Sequence, residues 1–431
     1  MKKNDPNCFI YAESGAMTAL GLTIGVACIV VGGLAIDVAN AMMMRTQMQV
    51  AADAVAHAAI YYRETNTANQ AKTVALDLAD VNMPHSKFGP LITANDISFG
   101  VWDADAQEFH ADPGSKTAVM VNLARVEERS NSVGTYFLKF AGIGFWNVRR
   151  AAVFEAYFPT CFEEGIVGDE VVDIQSNNQF LNGFCVHSND HVELNNGVEF
   201  QTGTVLSMPD RRDLVEPTAA NNTGVDEALR DGVYRMRLIT MLPDIIAGLE
   251  NLDPTWLPDY ITDYSVKTLP RNASMSDFEA GKVHVINCVG GQRINFSSGI
   301  LFENLILVTN CQIHFASDAQ LINAVIATTH TGSNSINSAA KMTIGRDDGC
   351  AADGGAQMLS LGSIDFSAGL EMFGGQIVAV DDISFSANAN GIEGASIVAG
   401  GTASGTSNMA MGFCGSGMER NFAAEYFRLA I

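Results

Sequence analysis

Arg293-Ile294-Asn295-Phe296-Ser297-Ser298 returns as Gln312-Ile313-His314-Phe315-Ala316-Ser317, then as Ser363-Ile364-Asp365-Phe366-Ser367-Ala368 and Asp382-Ile383-Ser384-Phe385-Ser386-Ala387. The first two phenylalanines are 19 residues apart, and so are the last two. Gln376-Ile377-Val378-Ala379 likewise returns as Ser396-Ile397-Val398-Ala399 after 20 residues, and the pairs Asn177-Asn178 and Asn195-Asn196 lie 18 apart. Within each copy Ile and Phe alternate with small or polar residues, so one strand face is apolar and the other is not. A fixed period of this length predicts coils stacked so that like residues sit over like, a parallel β-solenoid rather than a β-sandwich.

The repeat covers residues 281–415, with a start of the same kind at 161–208. Between them, residues 209–280 lack it. Asp210-Arg211-Arg212-Asp213 opens a charged stretch, and Asp226 to Leu249 reads as helix apart from a break at Pro243. This segment is expected to be a helical insertion or linker and a site of partner contact. Phe422, Tyr426 and Leu429 follow at helical spacing, which predicts a cap helix over 416–431 closing the end of the solenoid.

Upstream, residues 64–160 read as a small α+β domain. A helix is expected over 65–83 with Val74, Leu78 and Val81 buried, followed by strands such as 96–102 and 118–123. Asp103, Asp105, Glu108 and Asp112 look like solvated turn carboxylates, because the Asp/Gly spacing of a calcium loop is missing. Further upstream, AMTALGLTIGVACIVVGGLAI, from Ala16 to Ile36, carries no charge over the roughly 20 residues that cross a bilayer. Lys2 and Lys3 precede it and Asp37 follows. A transmembrane anchor is therefore expected, with residues 1–15 cytoplasmic and the remainder exported. The run is too long for the apolar part of a cleaved signal and continues as helix to about Arg63. Gly21 and Gly25 have the GxxxG spacing that lets membrane helices approach, and Gly33 and Ile36 close the span. Met44, Met48, Ala51, Ala52, Val55 and Ala59 form a stripe expected to pack on the chain's own domain. The fold class is thus mixed: a transmembrane helix, a small α+β domain and a mainly β, parallel β-helix-like C-terminal domain.

Composition narrows the chemistry. The formal charge is −23, with 48 acidic against 25 basic residues, so a nucleic-acid partner is not expected. Of eight cysteines, Cys8 and Cys28 lie before or within the apolar span. The other six, Cys161, Cys185, Cys288, Cys311, Cys350 and Cys414, lie in the exported portion. They permit three disulfides in any of fifteen pairings, with buried thiols as the other reading. No CxxC pair supports a zinc site.

Ser14-Gly15-Ala16, the apolar span, Gly33-Leu34-Ala35-Ile36-Asp37-Val38 and Gln47-Met48-Gln49-Val50-Ala51-Ala52-Asp53-Ala54 together resemble the TadE/TadG-like proteins of Tad (Flp) pilus assembly, most closely the TadG type. The motif residues are Gly15, Asp37, Gln47, Ala51, Ala52 and Asp53. Looser similarity continues through Ile97–Asp103, Ala118–Val121 and Phe137–Ala152, so the resemblance covers residues 14–160. It implies an inner-membrane protein facing the periplasm or delivered to the surface, with pilus-assembly proteins or pilin subunits as partners. Two features depart from the family: the span has no proline, and the residues after Gly15 lack the glutamate of cleaved pilins. Many relatives carry a metal-binding von Willebrand A domain with a DxSxS motif. Asp382-Ile383-Ser384-Phe385-Ser386 fits that pattern in form, but the remaining chain is too short to complete such a domain and the motif is one rung of the repeat.

No catalytic, cofactor or metal residues are assigned. Asp347, Asp348 and Asp353, or Asp381 and Asp382, are the carboxylates a polysaccharide-cleaving β-helix would use. Adjacent aspartates in a strand face opposite ways, however, and in a turn they are usually solvated. His187, Asp190 and His191 are read as structural. The expected role is a non-catalytic assembly component that contacts the membrane and its partner proteins and is open to self-association. A polysaccharide-binding adhesin or polysaccharide-active enzyme is the competing class.

Overall fold

The computed structural model describes residues 16–217, 221–405 and 408–431. Two compact units divide the chain. Unit 1 holds Met1–Tyr157 with Glu425–Ile431, and unit 2 holds Phe158–Ala424.

Unit 1 is organised by one helix, α1 (Ala16–Arg63), 48 residues long and therefore about 72 Å from end to end. Residues 17–32 are exposed on every side, and the helix that contains them is long and apolar enough to cross a membrane. From Met44 the pattern changes. Met44, Met48, Ala51, Ala52, Val55, Ala56, Ala59 and Ile60 are buried along one stripe, which includes every residue the sequence marked for it. That stripe closes a core with α2 (Ala68–Asn82) and an antiparallel sheet. The sheet comprises β1 (Ile97–Asp103), β2 (Glu108–Ala111), β3 (Ala118–Arg125) and β6 (Val148–Tyr157), in the order β2-β1-β3-β6. Between β3 and β6, the two-residue strands β4 (Val133–Gly134) and β5 (Phe145–Trp146) pair at the base of a loop.

Two expectations about these elements fail. Helix α2 starts from a capping box, Thr67 with Gln70, but buries Ala71, Ala75 and Ala79. Val74 and Leu78 are only partly covered and Val81 is 75% exposed. A row of alanines lets two helices approach closely, and that packing outweighs the preference for burying the largest side chains. The cap helix over 416–431 is also absent. Tyr426–Leu429 is a strand paired antiparallel to β6, with Tyr426 opposite Tyr157 and Leu429 opposite Phe154. The open edge of β6 supplies backbone partners there, and the i, i+4, i+7 spacing of apolar residues is coincidental.

Unit 2 is built on a 21-stranded sheet in which every pairing is parallel. The repeated isoleucines form one row: Ile294 pairs with Ile313, Ile313 with Ile336, Ile336 with Ile364, and Ile364 with Ile383. Phe296 pairs with Phe315 and their rings stack at 5.3 Å, while Phe366 pairs with Phe385. A second row runs through Ile326, Met358, Ile377, Ile397, Ile166, Val186 and Leu206. All of these side chains are buried in one continuous core.

The order of the strands departs from the sequence. Ser396–Ala399 pairs with Gly165–Gly168, and Ala403–Gly405 pairs with Val172–Ile174, so the last repeats dock on the first. The expected linker at 209–280 is accordingly not repeat-free. Leu229–Asp231 extends the sheet beyond Val205–Met208, and Asp263–Leu269 joins it beside Lys282–Ile286. Between those two strands lies α3 (Arg237–Glu250), which contains Pro243 without ending there. Its buried face of Leu238, Leu242, Ile245, Ile246 and Leu249 packs on the outward side of the sheet against Val167, Leu359, Val378 and Val398. Five buried aliphatic side chains at about 1.5–3 kcal/mol each exceed the roughly 3 kcal/mol that proline costs a helix.

Candidate functional site: the end of the apolar helix

The family-motif residues fall along α1, and Asp37 has the most specific surroundings. Its carboxylate is fully buried and accepts three backbone N–H groups from one loop: Tyr136 at 2.5 Å, Phe137 at 2.9 Å and Leu138 at 2.6 Å. One helical turn earlier, Gly33 is buried beneath the same loop. A Cβ there would lie 2.6 Å from the Phe137 ring, so only glycine admits this approach. Asp37 and Gly33 together dock the loop between β4 and β5 onto the end of the apolar segment.

The loop is held by its own backbone as well. Thr135 donates its N–H to Gly144 and its hydroxyl to the Ile143 carbonyl at 2.6 Å. Leu138–Ala141 forms a 3-10 turn that ends at Gly142, whose φ of +87° suits glycine. The side chains of the loop point outward instead of into a core. Phe140 is 83% exposed and Tyr136 59%, and Phe137, Ile143 and Phe145 are exposed too. Phe137, Leu138 and Phe140 border a cavity of about 300 Å³ with Ile29, Val30 and Leu34 of the apolar helix.

The remaining motif residues are less specific. Ala51 and Ala52 are buried in the core of unit 1. Gln47 is exposed, and the polar link is made by Gln49, which donates to Asp53 at 2.8 Å and to the Ala151 carbonyl of β6 at 3.2 Å. Gly21 and Gly25 have open space where a Cβ would go, Ile36 is exposed, and Cys28 is a free, exposed thiol within the span. Gly15 and Cys8 lie outside the described residues, and Ala16 begins the helix.

In unit 2 the six expected cysteines form three disulfides: Cys161–Cys185, Cys288–Cys311 and Cys350–Cys414. Near the first, the buried Glu164 accepts N–H groups from Cys414 at 2.6 Å and from Gly415. Burial raises the pKa of its carboxyl against the lowering effect of those two bonds. His187 is fully buried, with Nδ1 2.7 Å from Ser207 Oγ and Nε2 3.0 Å from Asn189 Oδ1. Burial lowers its pKa despite those partners. His191 is paired instead with Asp190 and Glu193; burial pulls its pKa down, but the two carboxylates outweigh this and raise it. Asp382 and Ser384 border a shallow groove of about 420 Å³, where the Ser384 hydroxyl donates to Asp365 of the neighbouring strand. Asp353 forms an ion pair with Arg420 at 2.6 Å, and Asp348 accepts the N–H of Ala351 at 3.0 Å within its own turn.

Residues 165–415, more than half of the chain, match a family described as a domain of unknown function, DUF7867. The chain belongs to the DUF7867 family. Residues 15–80 match a second family, Tad, described as "Putative Flp pilus-assembly TadE/G-like". This match begins one residue before α1 and takes in the span, Gly33, Asp37, the Gln49–Asp53 link and most of α2. No curated protein and no solved structure matches the chain. The resemblance in the N-terminal segment is therefore shown over 15–80, and the DUF7867 portion coincides with the parallel sheet of unit 2.

Sequence reasoning singled out Asp37 but missed what it binds, because its partners lie 99 to 101 residues away. The signal available was the stretch Val133–Val148, apolar and nearly uncharged within an acidic chain.

Proposed function

We propose that this protein is a non-catalytic, single-pass inner-membrane component of a Tad/Flp-type pilus assembly or secretion system. In this reading α1 spans the bilayer with the N-terminus in the cytoplasm, and the part of unit 1 that follows the span, together with unit 2, stands in the periplasm or is directed to the surface. The observation that carries it is the Tad family match over 15–80, centred on a helix whose first half is apolar on every side. A helix apolar all round belongs in a membrane or a large core, and no such core covers residues 17–32. The three disulfides all lie on the chain's C-terminal side of the span, in keeping with an oxidising compartment.

In the same reading unit 2 is a parallel β-helix that serves as an interaction domain. Its support is the row-on-row register at intervals of about 20 residues, with one inward Ile/Phe face. The partners are pilus-assembly proteins or pilin subunits, and the surface is acidic enough to favour basic faces on them.

In-cell crosslinking of the full chain in bacteria assembling pili tests the reading. Recovery of secretion-system or pilin proteins is the expected result. Capture confined to glycans, with turnover abolished by Asp365→Asn or Asp382→Asn, would replace it with the polysaccharide-active class.

A further inference from the structure

We infer that the loop from Gly134 to Phe145 is a second membrane-contact element, which dips into the same bilayer leaflet where the apolar helix ends; this rests on the proposal that α1 spans the membrane. Ala16 to Ile36 is about 31 Å of helix at 1.5 Å per residue, close to the ~30 Å thickness of the hydrocarbon core. The loop touches this helix inside that length. Phe137 sits over Gly33, and Phe140 reaches the level of Ile29 and Val30, about 10 Å below Ile36 along the axis.

In a chain of net charge −23, the stretch Val133–Val148 contains no Asp or Glu; its single charge is Lys139, and Arg149 and Arg150 follow directly. Lys139 Nζ lies 5.5 Å from the Phe140 ring centre, so its stem runs along the apolar surface while the ammonium can reach a lipid phosphate. Tyr136, Phe137, Phe140, Phe145 and Trp146 give the aromatic content typical of the headgroup boundary.

A backbone segment enters an apolar layer only when its polar groups are satisfied within the protein. The N–H groups of Tyr136, Phe137 and Leu138 are taken by Asp37, that of Thr135 by Gly144, and those of Phe140, Gly142 and Ile143 by carbonyls of the same loop. Asp37 thereby acts twice, satisfying three N–H groups of the loop and having its own charge satisfied at the membrane edge. Water would gain little from this surface, whereas acyl chains and glycerol groups would cover it. The occupant is the lipid bilayer.

The test places photoreactive benzoylphenylalanine singly at Phe140, Val30 or Val101 in the full-length protein, reconstituted in phosphatidylethanolamine/phosphatidylglycerol vesicles. Val101 lies on the strand whose Phe99 packs under Arg63, at the far end of α1, and serves as the aqueous reference. Irradiation should give lipid adducts at 140 within a few-fold of those at 30 and roughly tenfold above those at 101. Adducts at 30 without adducts at 140, or a crosslink from 140 to a second chain, would overturn the inference and leave the span intact. Absence of adducts at 30 would overturn the span itself, and the inference with it.

Discussion

In unit 1 a single helical stripe, Met44 to Ile60, closes the core against antiparallel strands. In unit 2 the core is a set of rows, each residue stacked on its counterpart in the neighbouring strand. The first arrangement concentrates stability in one element, and in the proposed topology that element is also the anchor. The second spreads it over many nearest-neighbour contacts and adds three covalent ties. Damage should therefore be severe and local in unit 1, but graded in unit 2.

The largest effect should come from the stripe itself. Met48→Ala is expected to destabilise unit 1 by about 2–5 kcal/mol, since Met48 is fully buried. Val30→Ala, on the exposed half of the same helix, should change the unfolding free energy by less than about 0.5 kcal/mol. Chemical denaturation of the detergent-solubilised chain checks both, and equal effects would abolish the contrast between the two halves of α1. Opening one tie in unit 2, with Cys288→Ser and Cys311→Ser together, should cost about 2–5 kcal/mol. That loss should appear only in the transition of unit 2, leaving the one sensitive to Met48→Ala in place.

A smaller effect is expected where the loop docks. Gly33→Leu should cost unit 1 about 1–3 kcal/mol by overpacking against Phe137, whereas Gly25→Leu, which meets open space, should be neutral in the same assay. Smaller again is a pH dependence specific to unit 2. Burial holds His187 below its ordinary pKa, so the folded state resists a proton that the unfolded chain accepts near about pH 6.5. Stability should be full above that value and decline as the pH falls below it. His284, also lowered by burial, adds to the decline. The raised groups His191 and Glu164 act in the opposite direction, so the test is a difference: from about pH 7.5 to pH 5 the urea midpoint of unit 2 should fall more, or rise less, than that of His187→Gln.

These contrasts also mark how far the sequence could be read. The Ile and Phe rows were legible because strand alternation and a constant interval both survive as plain spacing. What spacing cannot carry is which repeat docks on which. The pairing of Ser396–Ala399 with Gly165–Gly168 links segments more than 200 residues apart. Helix α2 was legible as a helix, but hydrophobicity favoured Val74, Leu78 and Val81 while packing distance selected Ala71, Ala75 and Ala79. Tyr426–Leu429 shows a neighbouring strand edge overriding helical spacing. At the candidate site, Asp37 was visible as a motif residue because its charge ends an uncharged run. The loop that it holds was not, since nothing local joins residue 37 to residues 136–138.

Most depends on α1 crossing the membrane, with no residue after Asp37 on the cytoplasmic side. External protease added to intact spheroplasts tests this directly. The predicted result is digestion of unit 2 and of unit 1 beyond the span, with a fragment of a few kilodaltons containing residues 1–36 left in the carbonate-resistant membrane fraction. Full protection of the chain, or recovery of a soluble product trimmed of Ala16–Ile36, would contradict it.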